Sequence, residues 1–434
     1  MTKQIFLNLN NTAQNSVLNM MLFLFFCLWA VSFRLDAQAE NLLEDDLLAG
    51  EVFEFESQPD LEPLPFWRRN IRITIQQTLS QGNKLEISRT ETRIEYEVAP
   101  WDGGYLRLDN KYTYYSNDDQ QLKDTGNSFG HNKLQEAWLQ VSESACVSKI
   151  GRQGLYWGVV EGAFAVDVIS PFDFTEPLLT DYSNIRLSQD MFLLDCYYSN
   201  TQFQSFYVES ARLNTFKLKK TSQFDDLENA LHEEFGGRIS QSWEGGDVSF
   251  MYAHLYENTP VSIIDFNKPN GIRLDVSRYE LWGLSTSWAI GRLLLELDWA
   301  YKNKQLENFS GKKLSHSEAA VGIEYTTFNN HQLNAGVWLY DQVIQEPNAK
   351  SSRVQSWTIG WSKTYLNDDL MLSFLGFWVT EPEVLTATAL AQYQWDDFWD
   401  FSTALTYTDA DGAAQSVSLN ESELTLLLKL RFQI

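Results

Sequence analysis

The chain ends in Leu424-Thr-Leu-Leu-Leu-Lys-Leu-Arg-Phe-Gln-Ile434. Leu424, Leu426, Leu428, Leu430, Phe432 and Ile434 fall on one face of an extended strand. Thr425, Lys429, Arg431 and Gln433 fall on the other, with Leu427 the apolar exception. An unbroken apolar face backed by a polar one suits a closing strand with hydrocarbon outside and water inside. The segment 424–434 is also the stretch that barrel-assembly machinery would engage.

The same alternation recurs upstream. Ile71, Ile73 and Ile75 alternate with Arg72, Thr74 and Gln76, and Ile94, Tyr96 and Val98 with Arg93, Glu95 and Glu97. Leu293, Leu295, Leu297, Trp299 and Tyr301 oppose Glu296, Asp298 and Lys302. Carboxylates cannot face hydrocarbon cheaply, so they mark the inward face. Short connections such as Ser199-Asn-Thr201, Gly291-Arg292 and Asn367-Asp368 alternate with long ones such as 116–132, 154–189 and 258–276. That asymmetry predicts a transmembrane antiparallel up-and-down β-barrel of about 18 strands, with about 16 the alternative count. A sandwich would not require it.

Composition agrees. The 434 residues carry a formal charge of -25, and mean hydropathy is slightly negative. A helical membrane protein needs several apolar runs of roughly 20 residues; one apolar run is present, near the start. Fifteen Trp, nineteen Tyr and twenty-seven Phe suit aromatic girdles at two membrane interfaces. The acidity argues against nucleic acid as a partner.

The N-terminus reads as a targeting segment. Met20 to Val31 is an apolar run of about 12 residues, short for a span and right for a signal core. Ala37-Gln38-Ala39 supplies a small-x-small cleavage site, so residues 1–39 are expected to be a signal peptide. Residues 40–66 hold many carboxylates, three prolines and no Lys or Arg, which predicts a disordered periplasmic lead-in. Residues 67–434 make the barrel.

The most distinctive stretch is Lys149-Ile-Gly-Arg-Gln-Gly-Leu-Tyr-Trp-Gly158, followed by Asp167, Ser170-Pro-Phe-Asp173 and Asn184-Ile-Arg186. It belongs to an outer connection too long for an ordinary loop. Arg152 and Arg186 could pair with Asp167 or Asp173 and pin the loop to the wall. Alternatively the loop enters the lumen, and Arg152, Glu161, Asp167, Asp173 and Arg186 set pore size and charge. Arg93, Glu95, Glu97, Glu296 and Asp298 are the inward wall candidates. Cys146 follows one short turn and Cys196 precedes the next, at similar height on consecutive strands. In an oxidising compartment a cross-strand disulfide is expected, with two isolated buried thiols the alternative. The five histidines show no metal-ligand spacing, and no cofactor or catalytic motif is apparent.

The Gly-Arg-Gln, Trp-Gly and Pro-x-Asp pattern resembles a group of porin-like proteobacterial outer-membrane barrels, similar in style to alginate-export barrels. The resemblance implies a Gram-negative outer-membrane location, in contact with lipid and lipopolysaccharide, and a channel role. The expected function is passive passage of small polar solutes, cationic or neutral, without enzymatic activity. Two alternatives remain: a structural or polysaccharide-associated barrel without an open pore, and a barrel lipid hydrolase.

Overall fold

The computed structural model describes residues 71–82, 86–116, 130–174, 185–215, 222–266, 271–307, 309–343, 353–380, 383–410 and 422–433. The expected signal segment (1–39) and acidic lead-in (40–66) lie outside the described residues.

The first strands are β1 (Ile71–Gly82), β2 (Glu86–Val98), β3 (Gly104–Tyr115), β4 (Gly130–Glu143), β5 (Cys146–Gln153), β6 (Gln189–Tyr198) and β7 (Thr201–Val208). A short helix, α1 (Ser222–Asn229), leads to β8 (Glu234–Trp243), β9 (Gly246–Tyr256), β10 (Val261–Ile264), β11 (Ile272–Asp275) and β12 (Arg278–Ile290). The rest are β13 (Leu293–Leu306), β14 (Lys313–Thr326), β15 (Gln332–Val343), β16 (Arg353–Tyr365), β17 (Leu370–Thr380), β18 (Glu383–Gln394), β19 (Trp399–Ala410) and β20 (Ser422–Gln433).

Eighteen of these form one antiparallel sheet, in which each strand pairs with its neighbour and β9 pairs with β12. β20 pairs with β1, from Arg72 opposite Gln433 to Gly82 opposite Glu423. The sheet therefore closes on itself and leaves no edge strand. β10 and β11 pair with each other, with one isolated bridge from Ile263 to Phe309, and form a hairpin inside the 257–277 connection, not a spanning pair.

Parity assigns the two faces. On β20, Leu424, Leu426, Leu428 and Leu430 are exposed outward, while Thr425 and Leu427 are buried. Ile75 and Leu79 on β1 and Ile94 on β2 share the outer wall. Exposed Trp243, Trp288, Trp395 and Trp399 mark the end with short turns. Tyr114, Tyr207, Phe235 and Trp378 mark the end with long connections. An apolar band between two aromatic rims is the surface that a bilayer solvates.

Turn chemistry fixes the first rim. The two-residue connections at 144–145, 199–200 and 291–292 each open on a residue with positive φ: Ser144 (53°), Ser199 (52°) and Gly291 (61°). Such backbone matches the strand twist in tight hairpins. The long–short alternation fails only where β1 meets β2 (83–85) and β17 meets β18 (381–382).

Candidate functional site

In its described parts, residues 154–174 and 185–188, the connection from β5 to β6 folds into the barrel. Its apolar residues dictate this. Leu155, Trp157, Ala165, Val166 and Ile169 are buried in one cluster with inward side chains of β6, β7, β9 and β12, among them Met191, Phe206, Met251 and Leu281. Those four strands turn an apolar face inward, which a water-filled bore would penalise unless something covered it. Gly283 permits the close approach: a Cβ there would lie 3.0 Å from Val166 Cγ1.

Polar bonds hold the loop in place. Trp157 Nε1 donates to Gln204 Oε1 (2.7 Å), and Gln204 Nε2 donates to Asp195 Oδ1 (2.9 Å). Gln189 Nε2 donates to Ile169 O (2.7 Å) and Asn258 Nδ2 to Val168 O (2.7 Å). Lys133 Nζ donates to Asp173 Oδ2 at 2.5 Å. At the tip, the amides of Val159 and Val160 both donate to Asp298 Oδ2 at 3.0 Å, and Ser285 Oγ donates to Asp298 Oδ1 at 2.5 Å. Glu161, the next residue, is exposed and accepts from Asn334 Nδ2 at 2.9 Å. Partial loss of water, with Glu324 nearby, holds its carboxyl above the usual range.

Inside the loop, Arg186 donates to Asp167. The guanidinium carbon lies 4.5 Å from the Phe172 ring centre and 4.9 Å from that of Tyr156. Burial pushes Asp167 up to about 6, although Arg186 and the Trp157 amide pull the other way. A carboxyl whose docked pKa exceeds its ordinary 3.8 favours docking fully below that value and loses the advantage as pH rises through 6. The difference is worth on the order of 3 kcal/mol. Loop docking is therefore expected to loosen between pH 4 and 7, read as rising protease cleavage of residues 154–188. Asp167→Asn should flatten that dependence, and an unchanged profile would refute the assignment.

The sequence candidates separate under this geometry. Glu161 is exposed and bound to the Asn334 carboxamide. Asp167, Asp173 and Arg186 are buried anchors and do not line the pore. Arg152 is corrected more sharply. It shares the outward face of Ile150 and Phe192, and it donates to both oxygens of Asp190 (3.0 and 2.8 Å). Asp298 faces inward but is spent on the loop amides. No group of His, Cys, Asp or Glu among the described residues could hold a metal ion.

Arg93, Glu95 and Glu97 line the inner wall within a larger network. Asp109 meets Arg93 at 2.5 Å, Glu95 meets Arg107 at 3.1 Å, Glu136 meets Arg107 at 2.7 Å and Glu91 meets Lys111 at 3.1 Å. Glu97 also pairs with Arg107. Every carboxylate of this β2–β4 wall thus has a basic neighbour. Arg107, Asp109 and Lys111 alternate in sequence with apolar Leu106, Leu108 and Tyr112, which puts them on the polar face, but neither they nor Glu136 are among the wall candidates read from sequence.

Across the bore the balance differs. β13 is nine strands from β2 around the 18-stranded ring, so the two stand opposite. There Glu296 faces inward, beside Glu324 on β14 and Asp247 on β9. Among the described residues no ion pair joins these three or Glu161.

Cys146 and Cys196 stand directly opposite each other on β5 and β6, bonded, with Cα atoms 4.1 Å apart. They lie on the outward face next to the turn, on the two strands that bracket the loop.

A closed antiparallel barrel with a greasy exterior, a polar bore and a long connection folded into that bore has the porin architecture. Solved structures of that architecture are similar to this chain. Pseudomonas aeruginosa OpdK with vanillate matches with a TM-score of 0.54 at 9% identity, over 84% of this chain and 98% of that one. P. aeruginosa OccD3 (OpdP) matches with 0.51 at 10% identity, over 84% and 91%. Acinetobacter baumannii OccAB1 matches with 0.51 at 10%, over 83% and 95%. At such identities the likeness is one of fold. No family model and no curated protein matches the chain.

Proposed function

We propose that this chain is a passive outer-membrane channel for small polar solutes, with a preference for cations over anions. One observation carries the preference. Among the described residues, Glu161, Glu296, Glu324 and Asp247 have no ion-pair partner, whereas the opposite wall is neutralised carboxylate by carboxylate. Uncompensated charge beside a bore selects the opposite sign. A carboxylate about 5 Å from the path, at a dielectric near that of water, is worth about 0.8 kcal/mol, or about fourfold in relative occupancy.

Reversal potentials across planar bilayers in a KCl gradient test this. Potassium is expected to permeate better than chloride. Glu161→Gln with Glu324→Gln should lower the ratio about tenfold. Preference for chloride would overturn the reading. A folded, inserted protein without conductance would instead favour a closed structural barrel.

A further inference from the structure

The bore has a sector that cation preference alone leaves unused. Register carries the inward face from Trp338, packed against the loop, to Ser356, Val379, Val384 and Ala410 on the next four strands. Along β16–β19 the described inward residues include no Asp, Glu, Lys or Arg above Asp400, near the turn end. Several are apolar, and Leu375, Phe377 and Leu390 are only half-buried. The hydroxyls between them are turned on one another: Thr388 and Thr406 lie 2.8 Å apart and Thr386 and Thr408 3.4 Å. The loop's buried clusters include none of these residues. An apolar inner face is thus covered on β6–β12, while among the described residues no loop cluster covers it here.

This face adjoins the acidic one. Glu324, Asn334, Gly360 and Leu375 lie on one continuous rung of β14–β17. Gly360 lacks a side chain, and the Asn334 carboxamide occupies the space where one would stand. The same carboxamide binds Glu161. From Asn334 to Leu375 is two strand spacings, about 10 Å. A carboxylate and an aliphatic wall therefore flank one short stretch of path.

We propose that the preferred solute is an organic cation with an apolar body, an alkyl- or arylammonium. Its charge passes Glu161 and Glu324 while its body slides along Leu375, Phe377 and Leu390. This rests on the cation preference proposed above.

Bi-ionic reversal potentials with potassium, tetramethylammonium and benzyltrimethylammonium chlorides test it on the purified, reconstituted chain. Benzyltrimethylammonium is expected to exceed tetramethylammonium by about tenfold despite its bulk, since its ring leaves water against the wall. Leu375→Asn and Leu390→Asn, on different strands and each checked for folding by heat-modifiable electrophoresis, should both bring the two cations level. Potassium preferred over chloride, with no gain for the benzyl compound in the parent chain, would overturn this inference and leave the cation channel standing. Chloride preferred over potassium would overturn both. A gain that persists in both variants would place the apolar contact elsewhere and overturn the assignment to this wall.

Discussion

Trp157→Ala should raise single-channel conductance about twofold or more, because the loop would no longer hold its place in the bore. The indole is 1% exposed and lies at the heart of the cluster joining loop to wall. Truncating a buried Trp costs about 3–5 kcal/mol. Gln204 Oε1 would lose its donor inside the barrel, adding about 1–3 kcal/mol. The remaining polar anchors are neutral hydrogen bonds worth about 1 kcal/mol each and charge-assisted ones worth about 1.5–3, so the loop loses one of the largest contributions to its docking. The barrel should survive, since its ladder hydrogen bonds do not involve Trp157. Conductance should therefore rise while heat-modifiable migration stays that of a folded barrel. Protease should then cut within 154–188. Asp298→Ala, which strips the acceptor from the Val159 and Val160 amides, should give a smaller change in the same direction. Parent-like conductance and protection in Trp157→Ala would show that the loop is held by something other than this cluster.

Much of the barrel was legible because burial on one face forces a period of two. β20 shows it with Leu427 the one exception: polar Thr425, Lys429 and Arg431 inward, Leu426, Leu428 and Leu430 outward. β17 did not announce itself. Its sequence, Leu370-Met-Leu-Ser-Phe-Leu-Gly-Phe-Trp-Val-Thr380, is apolar on both faces, so alternation vanishes. The cause is the apolar inner sector, which composition cannot separate from a buried strand. β10 and β11 vanished for another reason: four residues each, they sit inside a connection that length alone marks as loop.

The site was harder to read than the fold. A long connection with three glycines, a Trp and scattered charges marked a candidate site but not which charge meets water. Arg152 illustrates the difficulty. Its face depends on the register of β5 with β4 and β6, which one strand's sequence does not carry. Asp298 illustrates the converse. Parity placed it inward correctly, yet its oxygens are taken by amides some 139 residues earlier in the chain. The Gly-Arg-Gln to Pro-x-Asp pattern accordingly marks how the loop is anchored. Among the described residues, Glu161 is the one carboxylate in that stretch with no basic partner.

Opening the link between Cys146 and Cys196 is the second large effect. β5 has 8 residues and β6 has 10, fewer than the 12 of β1, β3 and β20, yet they must close a connection of roughly 35 residues. The two cysteines are 50 residues apart in sequence. Cross-linking a loop of that size restricts the unfolded chain by about 4 kcal/mol on a chain-entropy account. The sulfurs lie on the outer wall, away from the bore, so removing them changes no pore-lining group. Cys146→Ser with Cys196→Ser should therefore lower the urea midpoint in detergent while leaving the potassium-to-chloride ratio alone. Reductant should bring the parent down to the variant and leave the variant where it was. The loop's refolding should slow most, because its two flanking strands must find each other across the whole connection without a tether. Two thiols titratable in the untreated protein, or a parent midpoint indifferent to reductant, would mean that packing of the loop against β6–β12 alone sets this register.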